Sequence, residues 1–448
     1  MEVEMAAPSW RRRTAAGLLV ALVAAAGVTA CGGDDDAGDG AGAAPAATSS
    51  APAQTSPADA GGTASGAGVT DYVQYTGGTK GAADASKSKI VIGWTNQQGG
   101  PADPSPFATD GAKLAVKYVN EELGGVGGHP IQLASCFTST TEEQGQSCGQ
   151  KFANDDGVDV VAVGAMSIGS QSLMASIDGA KPMVYSVAAG ASDARNKNGY
   201  ILFGDLIRVL PPLATFSKEV LKAKTAAVIY PEAPGVSYAA DALTGGLKAA
   251  GITYKRVSYP ANATDLVAPL SAAGAQTADV VNPVVLPPQC VTVAKALQQS
   301  KVEAPVVATP LCLNSDVAKA LGDLPQWYYG IASSLSADRT DPAAGAFMAV
   351  AAKHGGAQMA ADPYYSISFA EILTIVQWMN AIGPDGLSPE SIAAQAKAFK
   401  GPLALGPPTV QCGKYPDAPA ICNDQMKVFK YEGKGAFEPA SDWIGPPS

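Results

Sequence analysis

Short apolar segments alternate with helical patterns along most of this 448-residue chain, and this alternation limits the folds open to it. Segments 90–92, 158–163 and 226–230 are short and rich in Val, Ile and Ala, which is typical of buried strands. Buried strands that alternate with helices form a parallel sheet with helices on both faces. Because the pattern runs twice, with a break near residues 208–212, the sequence predicts an α/β protein with two Rossmann-like lobes.

The N-terminal segment predicts export. Three arginines at 11–13 precede an uncharged apolar stretch at 15–27, which is shorter than the roughly 20 residues of a membrane-spanning helix. Residues 28–31 read Val-Thr-Ala-Cys and resemble the lipobox of bacterial lipoproteins. The resemblance implies a signal peptide at 1–30, a diacylglycerol on Cys31, and an exported protein held on the outer face of the cytoplasmic membrane. An ordinary signal peptide with an incidental cysteine is the alternative.

Composition separates a tether from a folded body. Residues 31–88 are mainly Gly, Ala, Ser, Thr, Pro and Asp, with few large apolar side chains. Such a segment buries too little apolar surface to offset its ordering entropy, so we predict a flexible tether. The rest of the chain, residues 89–448, is too long for one compact core and suits two lobes. The net charge of −10, without a basic cluster, argues against a nucleic-acid partner.

Six cysteines remain after Cys31, and they occur as sequence neighbours. Six cysteines allow 15 pairings. We predict the set in which each bridge closes a short loop, with free buried thiols as the alternative: Cys136–Cys148, Cys290–Cys312 and Cys412–Cys422. A zinc site is not expected, because the chain has no CxxC motif and its only histidines are His129 and His354. The glycine-rich segment 124–128 follows a helical pattern rather than a strand, so it is not a dinucleotide-binding motif, and no cofactor is expected.

Several short motifs also occur in the order typical of one family. They are Ile90-Val91-Ile92-Gly93, Val119-Asn120-Glu121, the glycine-rich turn 124–131, the segments 160–164, 182–186 and 246–251, and Gly401-Pro402-Leu403. Together they make residues 89–435 resemble the type I periplasmic binding proteins, specifically the branched-chain amino-acid receptors (Leu/Ile/Val-binding protein-like) of ABC importers. The resemblance implies two lobes with parallel central sheets joined by a three-crossover hinge, which closes on a small molecule.

The family pattern also divides this chain. It implies that residues 89–208 and 334–402 form the first lobe, and that 209–333 and 403–448 form the second. It further implies a monomer that delivers its ligand to the permease subunits of an importer.

The carboxyl ends of the strands select the candidate ligand site. In open α/β sheets ligands bind there, beside helix N-termini that offer N–H groups. The candidates in the first lobe are Gln97, Gln98, Phe107, Ser167, Gly169, Ser170, Ala189 and Gly190. Those in the second are Gly235, Ser237, Leu286, Gln289, Leu311 and Asn314. Their hydroxyls and amides suit polar groups, and Phe107 suits stacking on an apolar group; each could equally be a solvated loop residue.

Four of these positions depart from the resemblance. The receptors hold the ligand ammonium with a carboxylate of the second lobe, and the matching position here is Leu311. Their cleft-closing aromatic residues match Gly235 and Leu286, and their ligand-binding threonine matches Gly190. A buried ammonium without a counter-charge is costly, although Glu232 could replace the missing acid. The ligand is therefore expected to be an amide, an apolar acid or another small neutral molecule, and not a free branched-chain amino acid.

Two other functions remain open from the sequence. Residues 165–169 lie between a strand and a helix, as in a nucleophile elbow, so a serine hydrolase would use Ser167 with His354 as the base. We expect no enzymatic activity, because His354 lies in a helix C-terminal turn, where a cation complements the dipole. A ligand-sensing or scaffold module with the same fold and no importer is the second alternative.

Overall fold

The computed structural model describes residues 68–100, 107–188, 190–360 and 362–447. The predicted signal peptide, Cys31 and the first part of the predicted tether lie outside these residues.

One five-stranded parallel sheet, in the order β2-β1-β3-β4-β5, defines lobe 1. The elements up to the end of this sheet are α1 (Tyr72–Thr76), β1 (Ile90–Gln97), α2 (Ala108–Glu122), β2 (Ile131–Thr138), α3 (Glu142–Ala153), β3 (Val158–Val163), α4 (Ser170–Ile177), β4 (Met183–Tyr185), α5 (Ala191–Ala194) and β5 (Gly199–Ile201).

Lobe 2 follows. Its elements are α6 (Leu206–Val209), α7 (Pro211–Glu219), β6 (Thr225–Pro231), α8 (Pro234–Ala249), β7 (Thr253–Tyr259), α9 (Val267–Ala272), β8 (Val280–Pro283), α10 (Pro287–Gln299), β9 (Val307–Ala308), a 3₁₀ helix (Pro310–Cys312), α11 (Ser315–Leu321) and β10 (Tyr328–Ile331). Strands β7, β6 and β8 are parallel, and a parallel bridge from Val281 to Val306 leads on to β9 and β10.

The C-terminal third contributes to both lobes. It contains α12 (Pro342–Lys353), α13 (Pro363–Ile382), a second 3₁₀ helix (Pro384–Gly386), α14 (Pro389–Ala398), β11 (Lys427–Gly433) and β12 (Ala436–Pro439). Helices α12 to α14 pack on lobe 1, as Phe347, Phe369 and Ile392 in its core show. Strands β11 and β12 extend the lobe 2 sheet in antiparallel orientation. The α/β prediction is confirmed, with this antiparallel edge added.

Alternate residues of the lobe 1 strands supply two separate cores, because successive side chains of a strand point to opposite faces. Trp94, Val160 and Val184 belong to the core that contains α2 and α13. Val161 and Tyr185 belong to a core shared with α3 and α4. Helices therefore cover both faces, as the apolar strands predicted.

Two predicted boundaries need correction. Tyr72 and Tyr75, in the segment predicted as tether, are buried in the lobe 1 core, and the Tyr75 hydroxyl bonds Thr374 Oγ1 at 2.8 Å. The folded body thus includes residues 68–88, because Tyr72 and Tyr75, together with Val69, supply enough apolar surface to pack. Residues 403–422, predicted for lobe 2, also pack on lobe 1, where Ile421 forms a parallel bridge with Ile201.

The three predicted disulfides are confirmed. Cys136–Cys148 joins β2 to α3, Cys290–Cys312 joins α10 to the first 3₁₀ helix, and Cys412–Cys422 closes the loop before β11. Within the described ranges, no helix combines the length and apolar character needed to cross a bilayer.

Candidate ligand-binding site

The loop after β1 is built around two glutamines that bond within the protein. Gln97 is fully buried, and its Oε1 accepts hydrogen bonds from the loop after β3. Gln98 is partly buried, and its Oε1 accepts from the hydroxyl of Thr109 at the start of α2. Phe107, at the N-cap of α2, leaves 37% of its surface exposed. Of these three candidates, Phe107 is the one whose side chain is exposed.

The loop after β3 is held in one conformation by its neighbours. Ser167 is exposed, and its Oγ lies 2.7 Å from Gln97 Oε1. Gly169 has φ +86°, and a Cβ there would lie 2.8 Å from Thr138 Cγ2, so glycine suits both the turn and the packing. The Gly169 N–H donates to Glu142 Oε1 at 2.8 Å.

The segment after β4 contacts the start of α4 through the side chain of Asp193. Ser170 is 5% exposed and donates from Oγ to Asp193 Oδ1 at 2.8 Å, while Gly190 N–H donates to Asp193 Oδ2 at 3.1 Å. Ala189 lies outside the described residues. Asp193 was missed in the sequence; its position three residues after Gly190, at the start of a short helix, is the capping signal that points to it.

In lobe 2, the start of α8 carries Gly235 and Ser237. Gly235 is exposed, with open space where a Cβ would project. The Ser237 carbonyl accepts from Arg256 Nη2 at 3.2 Å, and the Arg256 guanidinium lies 4.3 Å from the Tyr230 ring centroid. Tyr238 follows, with 49% of its surface exposed, and it was also missed in the sequence. Arg256 thus fixes the first turns of α8 and leaves an aromatic ring on the surface.

A disulfide brings the other two lobe 2 loops together. Cys290–Cys312, with its Cα atoms 5.6 Å apart, links the first turn of α10 to the 3₁₀ helix that contains Leu311. Leu286 is 40% exposed at the N-cap of α10, and Leu311 is partly exposed. The amide of Gln289 caps α10 and donates to Ala261 O, and Asn314 Oδ1 accepts from Asp316 N to cap α11. Both amides therefore serve the fold, and the two leucines present apolar surface.

Glu232, the proposed substitute for the missing acid, is exposed and accepts a hydrogen bond from Ser258 Oγ at 2.9 Å. Among the described residues no three His, Cys, Asp or Glu side chains come together as a metal site.

The contacts of Ser167 and His354 do not form a nucleophile–base pair. The Ser167 hydroxyl bonds to an amide oxygen, which takes no proton at ordinary pH. His354 Nε2 lies 2.7 Å from Glu122 Oε1, and its side chain packs against Tyr118 at the ends of α2 and α12. His354 thus links the C-terminal ends of α2 and α12 in lobe 1.

Two lobes, with candidate loops at the carboxyl ends of their parallel strands, define the class of type I periplasmic binding folds. The model of the periplasmic binding protein family matches residues 89–430, so the chain belongs to that family. No curated protein sequence matches the chain.

Solved structures share the fold at low sequence identity. The leucine-binding protein LivK from Thermotoga maritima is 15% identical and has a TM-score of 0.60, over 80% of this chain and 99% of that one. A solute-binding protein from R. palustris in complex with 4-hydroxybenzoate is 16% identical, with a TM-score of 0.62 over 81% and 98% of the chains. A fatty acid ABC transporter substrate-binding protein from Thermomonospora curvata is 15% identical, with a TM-score of 0.61 over 82% and 95%.

Proposed function

We propose that this chain is an exported, lipid-anchored solute-binding protein of an ABC importer, which traps a small molecule between its lobes by hinge closure. One observation carries the proposal: large apolar side chains are exposed at the carboxyl ends of the strands of both lobes. They are Phe107 and Phe137 in lobe 1, and Tyr238 and Leu286 in lobe 2.

These side chains are exceptions in a chain that buries its large hydrophobic residues. Among the described residues, Val220 is the other large hydrophobic that is as exposed, and it lies at the C-terminal end of α7. Ligand sites are lined mainly by apolar and aromatic side chains with a few polar groups. Exposed apolar surface on two lobes that flank a hinge therefore favours a ligand contacted from both sides.

We propose an amide, an apolar acid or another small neutral molecule as the ligand, rather than a branched-chain amino acid. Residues 306–315 contain no Asp or Glu, and Glu232, which could replace the missing acid, is exposed and accepts a hydrogen bond from Ser258 Oγ. A zwitterion whose ammonium faced Leu311 would bury that charge without a counter-charge from residues 306–315, which costs at least a few kcal/mol. The structural relatives are named for ligands as different as leucine, 4-hydroxybenzoate and fatty acids, so the fold accommodates this range.

A thermal-shift screen of amino acids, amides, aromatic acids and sugars tests the binding role. A true ligand raises the melting temperature of the purified chain by mass action. It also reduces the radius of gyration in solution scattering, because closure brings the lobes together. The ligand should be recovered unchanged. Turnover that is lost in Ser167→Ala would support the hydrolase alternative instead.

Substitutions at the exposed apolar residues test the location. Phe107→Ala and Leu286→Ala should each weaken a ligand found in the screen about fivefold, since each loses part of an apolar contact worth about 1 kcal/mol. Val220→Ala shortens a side chain that is 47% exposed at the C-terminal end of α7, away from the candidate loops in the sequence, and is the matched control. Equal effects of all three substitutions would contradict the site.

Calorimetry with leucine, isoleucine and valine tests the ligand class. We expect dissociation constants in the high micromolar range or weaker, because Leu311 stands where the receptors place their acid. Sub-micromolar binding of leucine to refolded, ligand-stripped protein would refute the role given to Leu311.

A further inference from the structure

The backbone N–H groups of the loop between β3 and α4 are already occupied by the protein's own oxygens. The N–H groups of Ser167 and Ile168 donate to Gln97 Oε1 at 2.8 and 3.0 Å. The N–H of Gly169 donates to Glu142 Oε1 at 2.8 Å. Three successive N–H groups before a helix would otherwise form a site for an anion. Here acceptors from two other segments fill that site.

These contacts also determine where the Ser167 hydroxyl hydrogen points. Two backbone N–H groups face one atom of the Gln97 amide, so that atom is the oxygen, and the orientation of the amide is unambiguous. Ser167 Oγ lies 2.7 Å from the same oxygen, which only accepts. The hydroxyl must therefore donate to Gln97. Its lone pairs remain for other partners, and the Ser167 side chain is exposed.

The groups around Ser167 also place hydrogen-bond acceptors, and not donors, at this loop. The buried Ser170 hydroxyl donates to Asp193 Oδ1, whose other oxygen accepts from Gly190 N–H. Hydrogen bonds from the Gly169 N–H and the Ser172 hydroxyl lower the pKa of Glu142, so this carboxylate is ionised at neutral pH. A negative charge beside the first turn of α4 offsets the positive end of the helix dipole.

We propose that the 167–170 loop recognises a hydrogen-bond donor of the ligand, such as an amide N–H or a hydroxyl, through Ser167 Oγ, and that it does not bind a carboxylate. Gln97 is the positioning residue that sets this polarity. A carboxylate offers acceptors alone, so it would face the Ser167 lone pairs without a hydrogen to share. The inference rests on the proposed solute-binding function and names the ligand group that one lobe contacts.

Paired probes test the proposal in the full chain. Benzamide and benzoate, and hexanamide and hexanoate, differ in whether the head group carries N–H donors. Calorimetry should show each amide binding about tenfold or more tightly than its acid. Ser167→Ala should reduce amide binding about fivefold, and Ser167→Thr, which keeps the hydroxyl, should restore it. Tighter binding of the acids, or an unchanged amide affinity in Ser167→Ala, would overturn the proposal.

A second measurement needs no ligand of the protein. In the unmodified chain, acetate should cause no saturable shift of the amide NMR signals of Ser167, Ile168 and Gly169, because their hydrogens are already bonded. Gln97→Leu removes the acceptor of the Ser167 and Ile168 N–H groups and should create such a shift at these two amides, whereas Gln97→Glu keeps acceptor oxygens and should not. Saturable acetate binding at these amides in the unmodified chain refutes the inference. If no probe of the first experiment binds, the proposed function is weakened, and the acetate titration still decides the polarity of the loop.

Discussion

Replacement of Glu371 by glutamine should remove a pH dependence of stability that the structure builds into lobe 1. Glu371 lies in α13, is 0% exposed, and accepts a hydrogen bond at Oε1 from Val163 N at 3.1 Å. Its Oε2 has no hydrogen-bond partner among the described residues. Burial is the main cause that raises the pKa of Glu371 well above its ordinary value, and the bond from Val163 lowers it only in part. The folded protein therefore favours the neutral carboxyl group.

The sign of the effect follows from proton binding. Above the ordinary pKa of a glutamate, the unfolded chain releases this proton and the folded chain keeps it. The free energy of unfolding therefore falls as pH rises, by about 1.4 kcal/mol per pH unit, until the pKa of the folded state is reached. Glutamine keeps an oxygen for Val163 N–H and does not titrate. Its buried NH₂ group costs about 1–3 kcal/mol, but this cost does not change with pH.

Urea unfolding between about pH 5 and about pH 8 measures the slope directly. As the pH rises, the free energy of unfolding of the parent should fall relative to that of Glu371→Gln. Glu303→Gln changes an exposed glutamate of lobe 2 and should follow the parent throughout. Parallel pH profiles for the parent and Glu371→Gln would show that the carboxyl group is ionised in the fold, and the reasoning from burial would be refuted.

Three further predictions address the anchor, a disulfide and the corrected N-terminal boundary. Cys31→Ala should release soluble or unprocessed protein in cell fractionation, since stable anchoring needs acyl chains; retention in the membrane fraction contradicts lipidation. The double substitution of Cys136 and Cys148 by alanine opens a bridge of sequence separation 12 and should lower the free energy of unfolding by about 3 kcal/mol, with no loss arguing against the bond. Tyr72→Ala should destabilise lobe 1 by about 3 kcal/mol in the same assay, because the ring is 3% exposed and packs edge-on against Tyr118 and Phe369. Tyr72→Phe keeps the ring and should change the free energy of unfolding little. If Tyr72→Ala also has no effect, this segment belongs to the flexible tether and not to the folded body.

Local patterns in the sequence determined much of the secondary structure. The strand at 158–163 was predicted with the bounds that the structure shows, and the apolar segments predicted as strands at 90–92 and 226–230 lie within β1 and β6. Thr141 is the N-cap residue of α3, and Gln144 Oε1 accepts a hydrogen bond from its backbone N–H at 3.2 Å. Such features are readable because apolar periodicity and cap hydrogen bonds involve residues a few positions apart. The disulfides could be predicted for a similar reason, since each joins cysteines only 10 to 22 positions apart in the sequence.

Only the tertiary structure decided which polar groups at the candidate site are already bonded. Gln97 and Ser167 are 70 residues apart, and no local pattern shows that one fixes the hydroxyl of the other. Gln289 and Asn314, which are candidate ligand contacts, also cap α10 and α11. The tyrosines of the predicted tether became core residues because α13, some 300 positions later, offers a surface for them. Composition describes a segment by itself, whereas burial and hydrogen-bond polarity depend on the distant segments that the fold brings against it.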